Sequence, residues 1–138
     1  MKVLLDTCII SDISRAHKKD LLKGVLYSIG EDNCFMSVVT LGEITHGIHL
    51  LEEGKKKKDL LLWINQIEVY YGNRLLTFDN EVAKIWGELS AKAKKAGRSI
   101  PIADGMIAAT ALLYGLHVMT ENTKDFESSG VLLINPYS

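Results

Sequence analysis

The chain reads IPIADGMIAATALL from Ile100 to Leu113, an almost wholly apolar stretch that holds a single carboxylate, Asp104. As a helix, this stretch places Asp104 on the face of Ile107, Ala108 and Ala111, which should meet the core. An unpaired charge there would cost free energy and would favour the protonated carboxyl group. Two interpretations are therefore open: a functional carboxylate, or a cap for the helix that Pro101 helps to start.

Two further acidic residues stand where an apolar run ends. Asp6 follows Val3–Leu5, a predicted buried strand, at the carboxyl end where open α/β sheets bind their ligands. Glu43 lies three residues after Thr40, the spacing of a capping box in which Glu43 bonds back to the Thr40 backbone. Helix capping can explain both residues, but the same positions also place each of them at a helix start just beyond a strand.

Length and composition limit the possible classes of protein. The chain has 138 residues, of which 47% are hydrophobic and 24% charged, so we expect one folded domain spanning 1–138. The net charge of -1 excludes a general attraction to nucleic acid, and any such binding needs a local basic patch. Cys8 and Cys34 lack metal-site spacing. With no signal-peptide pattern and no long apolar run, we expect a cytoplasmic protein without a membrane segment.

Short apolar runs alternate with longer amphipathic ones, a pattern typical of an α/β fold with a parallel sheet covered by helices on both faces. A charge run at Lys55–Lys58 is expected in a solvated loop. The predicted strands are Val3–Leu5, Phe35–Val39, Leu75–Phe78, Val118–Thr120 and Val131–Ile134. The predicted helices lie near Ile9–Ser14, Lys19–Ile29, Leu41–Leu51, Lys58–Tyr71, Glu81–Lys95 and Ala103–Tyr114.

The carboxyl ends of parallel strands meet at one edge of a sheet, and acidic residues collect at that predicted edge. Glu121, Asn122 and Asp125 follow the fourth strand there, and join the acidic residues already named. Two carboxylates ~5 Å apart at an effective dielectric of ~20 repel by about 3 kcal/mol, so the group requires protons or a cation. All-oxygen ligation suits Mg²⁺ or Mn²⁺, and such a site supports phosphodiester hydrolysis.

These motifs, in this order, resemble those of a PIN-domain ribonuclease, and specifically the toxin component of a type II, VapBC-type toxin–antitoxin pair. The resemblance spans the whole chain. It rests on VLLDT from Val3, SVVTLGEI from Ser37, IADGMIAATA from Ile102, VMTENTKDF from Val118 and INP from Ile134.

The resemblance implies a three-layer α/β/α sandwich with a central, mainly parallel sheet, and Mg²⁺- or Mn²⁺-dependent endonucleolytic cleavage of RNA. Asp6, Glu43 and Asp104 would form the acidic core, with Asp6 and Asp104 as direct metal ligands. Relatives often carry an acidic residue where this chain has Asn122. Asn122 can still bind metal through its carbonyl oxygen, and Asp125 is the candidate to replace the missing catalytic carboxylate.

Supporting residues are predicted on the same basis. Thr7 and Thr120 are expected to orient the carboxylates by hydrogen bonding, the alternative being a simple turn or cap. Lys94, Lys95 and Arg98 are candidates to bind RNA phosphates, the alternative being solvated charge at a helix end.

A second departure is Cys8, where relatives often have Asn or Ser, and this weakens the argument for a hydrogen bond from that side chain. The implied partners are the RNA substrate, a second copy of the chain, and a small DNA-binding antitoxin. The tail of the antitoxin should lie across the apolar helices near Leu21–Ile29 and Leu41–Leu51. Two other functions are open: a PIN-type nuclease for RNA processing or structured DNA without an antitoxin, and a non-catalytic phospho-receiver-like domain.

Overall fold

The computed structural model describes all residues, 1–138. At its centre lies a sheet of five parallel strands in the order β3-β2-β1-β4-β5. The chain adds β2 and β3 on one side of β1 and then crosses to the other side for β4 and β5. The strands are β1 (Val3–Leu5), β2 (Cys34–Ser37), β3 (Leu75–Leu76), β4 (His117–Met119) and β5 (Leu133–Ile134).

Helices cover both faces of this sheet, and none of them is both long enough and apolar enough to cross a membrane. Short 3₁₀ turns at Glu31–Asn33, Gly72–Arg74 and Glu127–Ser129 complete the regular structure. The helices are α1 (Thr7–Ile13), α2 (Ala16–Ile29), α3 (Val38–His49), α4 (Lys55–Tyr71), α5 (Asn80–Lys95), α6 (Ile102–Tyr114) and α7 (Thr123–Phe126).

The alternation of side chains along β1 divides the core into two layers. Val3 and Leu5 pack with buried residues of α1 to α4, including Ile9 and Ile44. Leu4 points to the opposite face and packs with α6, and a third cluster joins α5 to the outside of α6. The predicted three-layer α/β/α architecture with a parallel sheet is confirmed.

Several element boundaries differ from the predictions. The predicted strand Phe35–Val39 ends at Ser37, because the Ser37 hydroxyl accepts a hydrogen bond from the Val39 backbone N–H at 3.0 Å and begins α3. The last predicted strand is reduced to Leu133–Ile134. The lysine run Lys55–Lys58, expected in a loop, forms the first turn of α4. The four-residue α7 was not predicted.

The strand order places a topological switch point between β1 and β4, since the chain leaves β1 in one direction and β4 in the other. Ligands of open α/β sheets bind in the crevice at the carboxyl ends of two such strands. Asp6 follows β1 at this crevice, and Thr120 follows β4. The residues just beyond these two strand ends are therefore the candidates for a ligand-binding site.

Candidate active site

Asp6 is buried at the end of β1, with 3% of its surface exposed. Its Oδ1 accepts a hydrogen bond from the Thr7 backbone N–H at 2.8 Å, and its Oδ2 accepts one from Thr120 Oγ1 at 2.7 Å. The Cys8 thiol donates to the same Oδ2 at 3.5 Å. Asp6 therefore begins α1 and is also held in one orientation from β4, so both sequence interpretations apply to it.

Glu43 reaches the same crevice from α3. Thr7 Oγ1 donates a hydrogen bond to Glu43 Oε1 at 2.5 Å and lies 3.0 Å from Thr40 Oγ1. The predicted capping box is wrong: Ser37 caps α3, and Thr40 is a buried residue of its first turn. With Ser37 as the cap, Glu43 lies too far along α3 to belong to a capping box, and its side chain accepts a hydrogen bond from Thr7 of α1 instead.

Asp104 lies in the first turn of α6 but does not cap it. The cap position is Pro101, which offers no side-chain hydrogen bond, and the Asp104 carboxylate accepts no hydrogen bond from the protein. Desolvation raises the pKa of Asp104 to about 7, and the negative charges of Asp6, Asp125 and Glu43 add to this effect in that order. The capping interpretation of Asp104 is therefore wrong.

Gly105 fixes where this first turn of α6 can lie. A Cβ at that position would stand 3.1 Å from both Cδ1 and Nε1 of the Trp86 ring on α5. Such a separation is tighter than an ordinary van der Waals contact, so glycine permits the close approach of α6 to α5. Asp104 is thereby held next to a well-packed helix contact.

The loop after β4 supplies the remaining candidates. The Asn122 backbone N–H donates to Thr120 Oγ1 at 2.9 Å, which links the loop to the threonine that binds Asp6. The Asn122 side chain is exposed and makes no hydrogen bond. Asp125, in α7, is exposed as well, and its charge acts on Asp104. Asp6, Glu43, Asp104 and Asp125 are thus brought into one electrostatic group.

No protein cation compensates this group of four carboxylates. All five ion pairs of the chain involve other acidic residues: Asp12, Glu53, Asp59 and Glu121. No three His, Cys, Asp or Glu side chains lie close enough together to enclose a metal ion. This donor set fits Mg²⁺ or Mn²⁺, because such ions take one or two carboxylates and keep several waters. A dehydrated, fully protein-enclosed ion does not fit.

The PIN domain family profile matches residues 3–130, which include every residue of this group. The chain belongs to the PIN-domain family. Toxin FitB of Neisseria gonorrhoeae is 36% identical over 136 residues, with 98% of each chain covered. VapC ribonuclease Y4jK of Sinorhizobium fredii is 30% identical over 139 residues, covering 98% of this chain and 97% of that protein.

The solved structure of FitAB bound to an IR36 DNA fragment contains a chain that superimposes on this PIN domain with a TM-score of 0.89. Identity to that chain is 35%, covering 99% of this chain and 96% of the other. Whole-chain similarity at this level confirms the resemblance to VapC-type PIN domains that the motifs indicated.

Three predicted residues of this PIN domain are not brought to the carboxylates by any recorded contact. Lys94 and Lys95 lie at the end of α5 and Arg98 lies just beyond it, all exposed and without ion pairs. Their positive charges are therefore free to bind the phosphates of RNA. Their role remains a prediction.

Although a cysteine at this position weakened the argument for a hydrogen bond, the Cys8 thiol does contact Asp6 and lies 3.7 Å from Thr120 Oγ1. Desolvation raises the pKa of Cys8 to about 11, despite an opposing hydrogen bond from the Glu121 backbone. Cys8 therefore stays a neutral thiol near neutral pH and keeps the proton that it donates to Asp6.

A second acidic cluster, around Asp12, was not predicted from the sequence. Asp12 is 4% exposed and interacts with Lys18, Arg15 and the Tyr137 hydroxyl. Asp12 stands in the apolar run Ile9-Ile10-Ser11-Asp12-Ile13, so the signal that identified Asp104, a carboxylate among apolar residues, could have found it. Its partners Lys18 and Tyr137 carry no such signal.

A cavity of about 430 Å³ opens beside the carboxylates, and Thr7 and Glu43 form part of its wall. Its apolar lining comes from α3, α4 and the segment between them, and Arg15 and Lys56 add cations to its wall. The sequence predicted an apolar surface on α2 and α3; α3 lines this cavity, but α2 contributes no residue to it. The apolar lining residues are Ile44, Ile48, Leu51, Leu60 and Trp63.

Proposed function

We propose that this PIN domain is a Mg²⁺- or Mn²⁺-dependent endoribonuclease that acts as the toxin of a toxin–antitoxin pair. The observation that carries the proposal is the group of four carboxylates at the β1/β4 crevice, which has no protein cation. Desolvation raises the pKa of Asp104 to about 7, and the charges of the other three carboxylates add to this effect. The relatives named toxin FitB and VapC ribonuclease support the assignment to RNA cleavage and toxicity.

Asp6 and Asp104 would hold the metal directly, and Glu43 and Asp125 would act through water, with the Asn122 carbonyl oxygen available at the rim. When a divalent ion is bound, water is activated and the charge on the leaving oxygen is offset. Thr120 and Cys8 orient Asp6 for this role, and Thr7 orients Glu43. Hydroxyl and thiol donors are suited to orienting a metal-binding carboxylate, because they add no positive charge that would compete with the metal ion.

Single-stranded RNA would reach the crevice along exposed cations. Lys94, Lys95 and Arg98 are proposed to bind phosphates away from the cleaved bond, since all three are exposed and unpaired. Such contacts position the backbone without reading its sequence. Their contribution should therefore weaken with salt.

The proposed inhibitor is a small DNA-binding antitoxin whose tail fills the cavity beside Glu43. An amphipathic helix would cover the apolar residues of α3 and α4, and an Arg or Lys of the tail would reach the uncompensated carboxylates and exclude the metal. The FitAB complex on DNA supports a partner that binds both toxin and DNA. This mechanism predicts loss of cleavage in the complex, and full activity with the tail bound would contradict it.

A second copy of the chain is the other proposed partner. A separate cavity of about 430 Å³ between α2 and α4 is lined by seven hydrophobic residues out of ten. Tyr27 and Tyr70 at its edge are 85% and 51% exposed, so they extend the apolar surface of this cavity toward a partner. Light scattering should find a dimer that Tyr27→Glu dissociates; a monomeric wild-type chain would contradict the assignment.

The cleavage assay compares the purified chain with Asp104→Asn on end-labelled RNA, in Mn²⁺ and in EDTA. A structured DNA substrate runs in parallel, because a nuclease of structured DNA would cut that substrate instead. We expect RNA cleavage only for the wild-type chain with metal. Equal cleavage by Asp104→Asn would contradict the site, and covalent labelling by acetyl phosphate would favour the phospho-receiver function.

A further inference from the structure

The second acidic cluster connects the end of the chain to the loop that carries Asn122 and Asp125. Asp12 Oδ2 accepts a hydrogen bond from the Tyr137 hydroxyl at 2.7 Å and lies 3.3 Å from Lys18 Nζ. The Lys18 ammonium group lies 5.0 Å from the centroid of the Tyr137 ring. A buried carboxylate that binds a cation and a hydroxyl donor forms a rigid attachment point. Loss of either partner would leave the buried charge without full compensation, which costs free energy.

Lys18 extends this attachment to Glu121. Its Nζ lies 3.5 Å from Glu121 Oε2, so a single ammonium group bridges a carboxylate of α1 and one from the loop after β4. Only 28% of the Lys18 side chain is exposed, which leaves the bridge partly shielded from solvent. Partly shielded ion pairs are less screened by salt than fully exposed ones.

The loop has few other connections. Within residues 121–125, two side-chain contacts come from outside the segment 120–126: the Lys18 bridge to Glu121 and the hydrogen bond between the Cys8 thiol and the Glu121 backbone. The Asn122 and Asp125 backbone amides bond locally, to Thr120 Oγ1 and the Asn122 carbonyl. The next anchor along the chain is the fully buried Phe126.

We propose that Lys18 is a positioning residue for the metal site, because it bridges Asp12 and Glu121 and so fixes the loop that carries Asn122 and Asp125. The inference rests on the proposed function, in which this loop completes the metal site. Lys18 itself touches neither the four carboxylates nor the proposed ligand Asn122.

The proposal can be separated from a plain charge effect by the direction of the change in metal affinity. Removal of one positive charge near an acidic site should tighten Mn²⁺ binding by through-space electrostatics. Release of the loop should weaken it, because ligands that are not held in place must be ordered when the ion binds. The two explanations therefore predict opposite signs for Lys18→Met.

Glu121→Met removes the charge and the acceptor at the other end of the bridge and keeps the Asp12–Lys18 pair intact. On charge alone this variant should weaken Mn²⁺ binding, opposite to Lys18→Met, and the double variant should resemble the sum. On positioning, both single variants weaken binding and the double variant is no worse than either, since one bridge is lost in all three.

The experiment measures two quantities on the full chain: backbone hydrogen exchange of residues 121–126 in EDTA, and Mn²⁺ affinity by titration calorimetry. For Lys18→Met we expect faster exchange confined to these amides and Mn²⁺ binding about 10-fold weaker, the low end of losses for groups that orient metal ligands. Lys18→Arg should restore both. Lys19→Met is the matched control, an exposed cation of the same helix with no recorded partner, and should match the wild-type chain.

Unchanged exchange together with unchanged or tighter Mn²⁺ binding in Lys18→Met would overturn the proposal. If Lys18→Met does not fold, Glu121→Met gives the exchange measurement without disturbing the buried pair, and unchanged exchange there overturns it equally. A wild-type chain that binds no Mn²⁺ would instead contradict the proposed function, a result that the calorimetry on the wild type alone reveals.

Discussion

Asp12 and Asp104 are two carboxylates in apolar helical stretches, and the fold treats them in opposite ways. Asp12 on α1 receives a lysine, an arginine and a tyrosine hydroxyl, all within 3.9 Å. Asp104 on α6 receives no hydrogen bond and no cation, only the charges of other carboxylates. The chain supplies a cation for the buried Asp12 but none for the half-buried Asp104, and a site for an external cation requires such an uncompensated carboxylate.

The largest effect that separates the two regions is expected for Asp104→Asn. If Asp104 is the direct metal ligand that we propose, its loss should reduce RNA cleavage by more than about 100-fold, beyond the 10–100-fold typical for groups that only orient a ligand. Steady-state cleavage of labelled RNA in Mn²⁺ measures this. Asp12→Asn serves as the comparison variant and should cleave within about 10-fold of wild type; equal losses would remove the distinction between the two acids.

For the stability of the fold we expect the opposite order: Asp12→Asn should have the larger effect and Asp104→Asn the smaller one. Asp12→Asn leaves Lys18 with one carboxylate fewer in a mostly buried position, and should lower the free energy of unfolding by about 2 kcal/mol, below the 3–5 kcal/mol of a fully buried pair. Asp104→Asn should not destabilise the metal-free chain at all. Urea denaturation in EDTA measures both variants, and a more stable Asp12→Asn chain would show that the cluster is not structural.

The pH dependence of stability should also distinguish the uncompensated Asp104 from the paired Asp12. The pKa of Asp104 is raised to about 7 in the fold, so the folded state binds its proton more tightly than the unfolded state. Metal-free stability is therefore highest when the group is protonated in both states, and falls as pH rises toward and through 7. Asp104→Asn removes this loss.

Thermal unfolding in EDTA at several pH values tests that sign. The Tm of Asp104→Asn should exceed that of the wild-type chain at pH 8, by a margin that shrinks as pH falls through 7. Asp20→Asn, an exposed carboxylate of α2 without a recorded partner, is the control and should show no such trend. A margin that is constant with pH would mean that Asp104 does not titrate as described.

The sequence predicted the parallel sheet and the acidic edge because both follow from local patterns. Strand β1 is a short apolar run, and Asp104 stands out against its apolar neighbours. The Thr40 capping box failed because Ser37 competes for the same helix start, and a spacing rule does not rank two candidate caps. The Lys18 to Glu121 bridge joins residues more than 100 positions apart, and no local pattern records such a contact.

The smallest expected effects on Mn²⁺ binding concern Asp125 and Asn122, which set how much negative charge lies around Asp104. Asp125→Asn should weaken Mn²⁺ binding about 10-fold at pH 8, as loss of a supporting group does, and Asn122→Asp should strengthen it by adding a charged ligand. Calorimetric titration of Mn²⁺ into both variants measures these changes. A mere capping role for Asp125 would instead cost about 1 kcal/mol of stability and leave Mn²⁺ affinity unchanged.

A change of pH separates the electrostatic part of the Asp125 contribution from its ligand role. The charge of Asp125 helps to raise the pKa of Asp104, so Asp125→Asn should lower that pKa and leave Asp104 more ionised at pH 6. Less work is then needed to remove the Asp104 proton when Mn²⁺ binds. The deficit of Asp125→Asn should accordingly be smaller at pH 6 than at pH 8. A deficit that grows toward low pH would contradict the coupling between these two carboxylates.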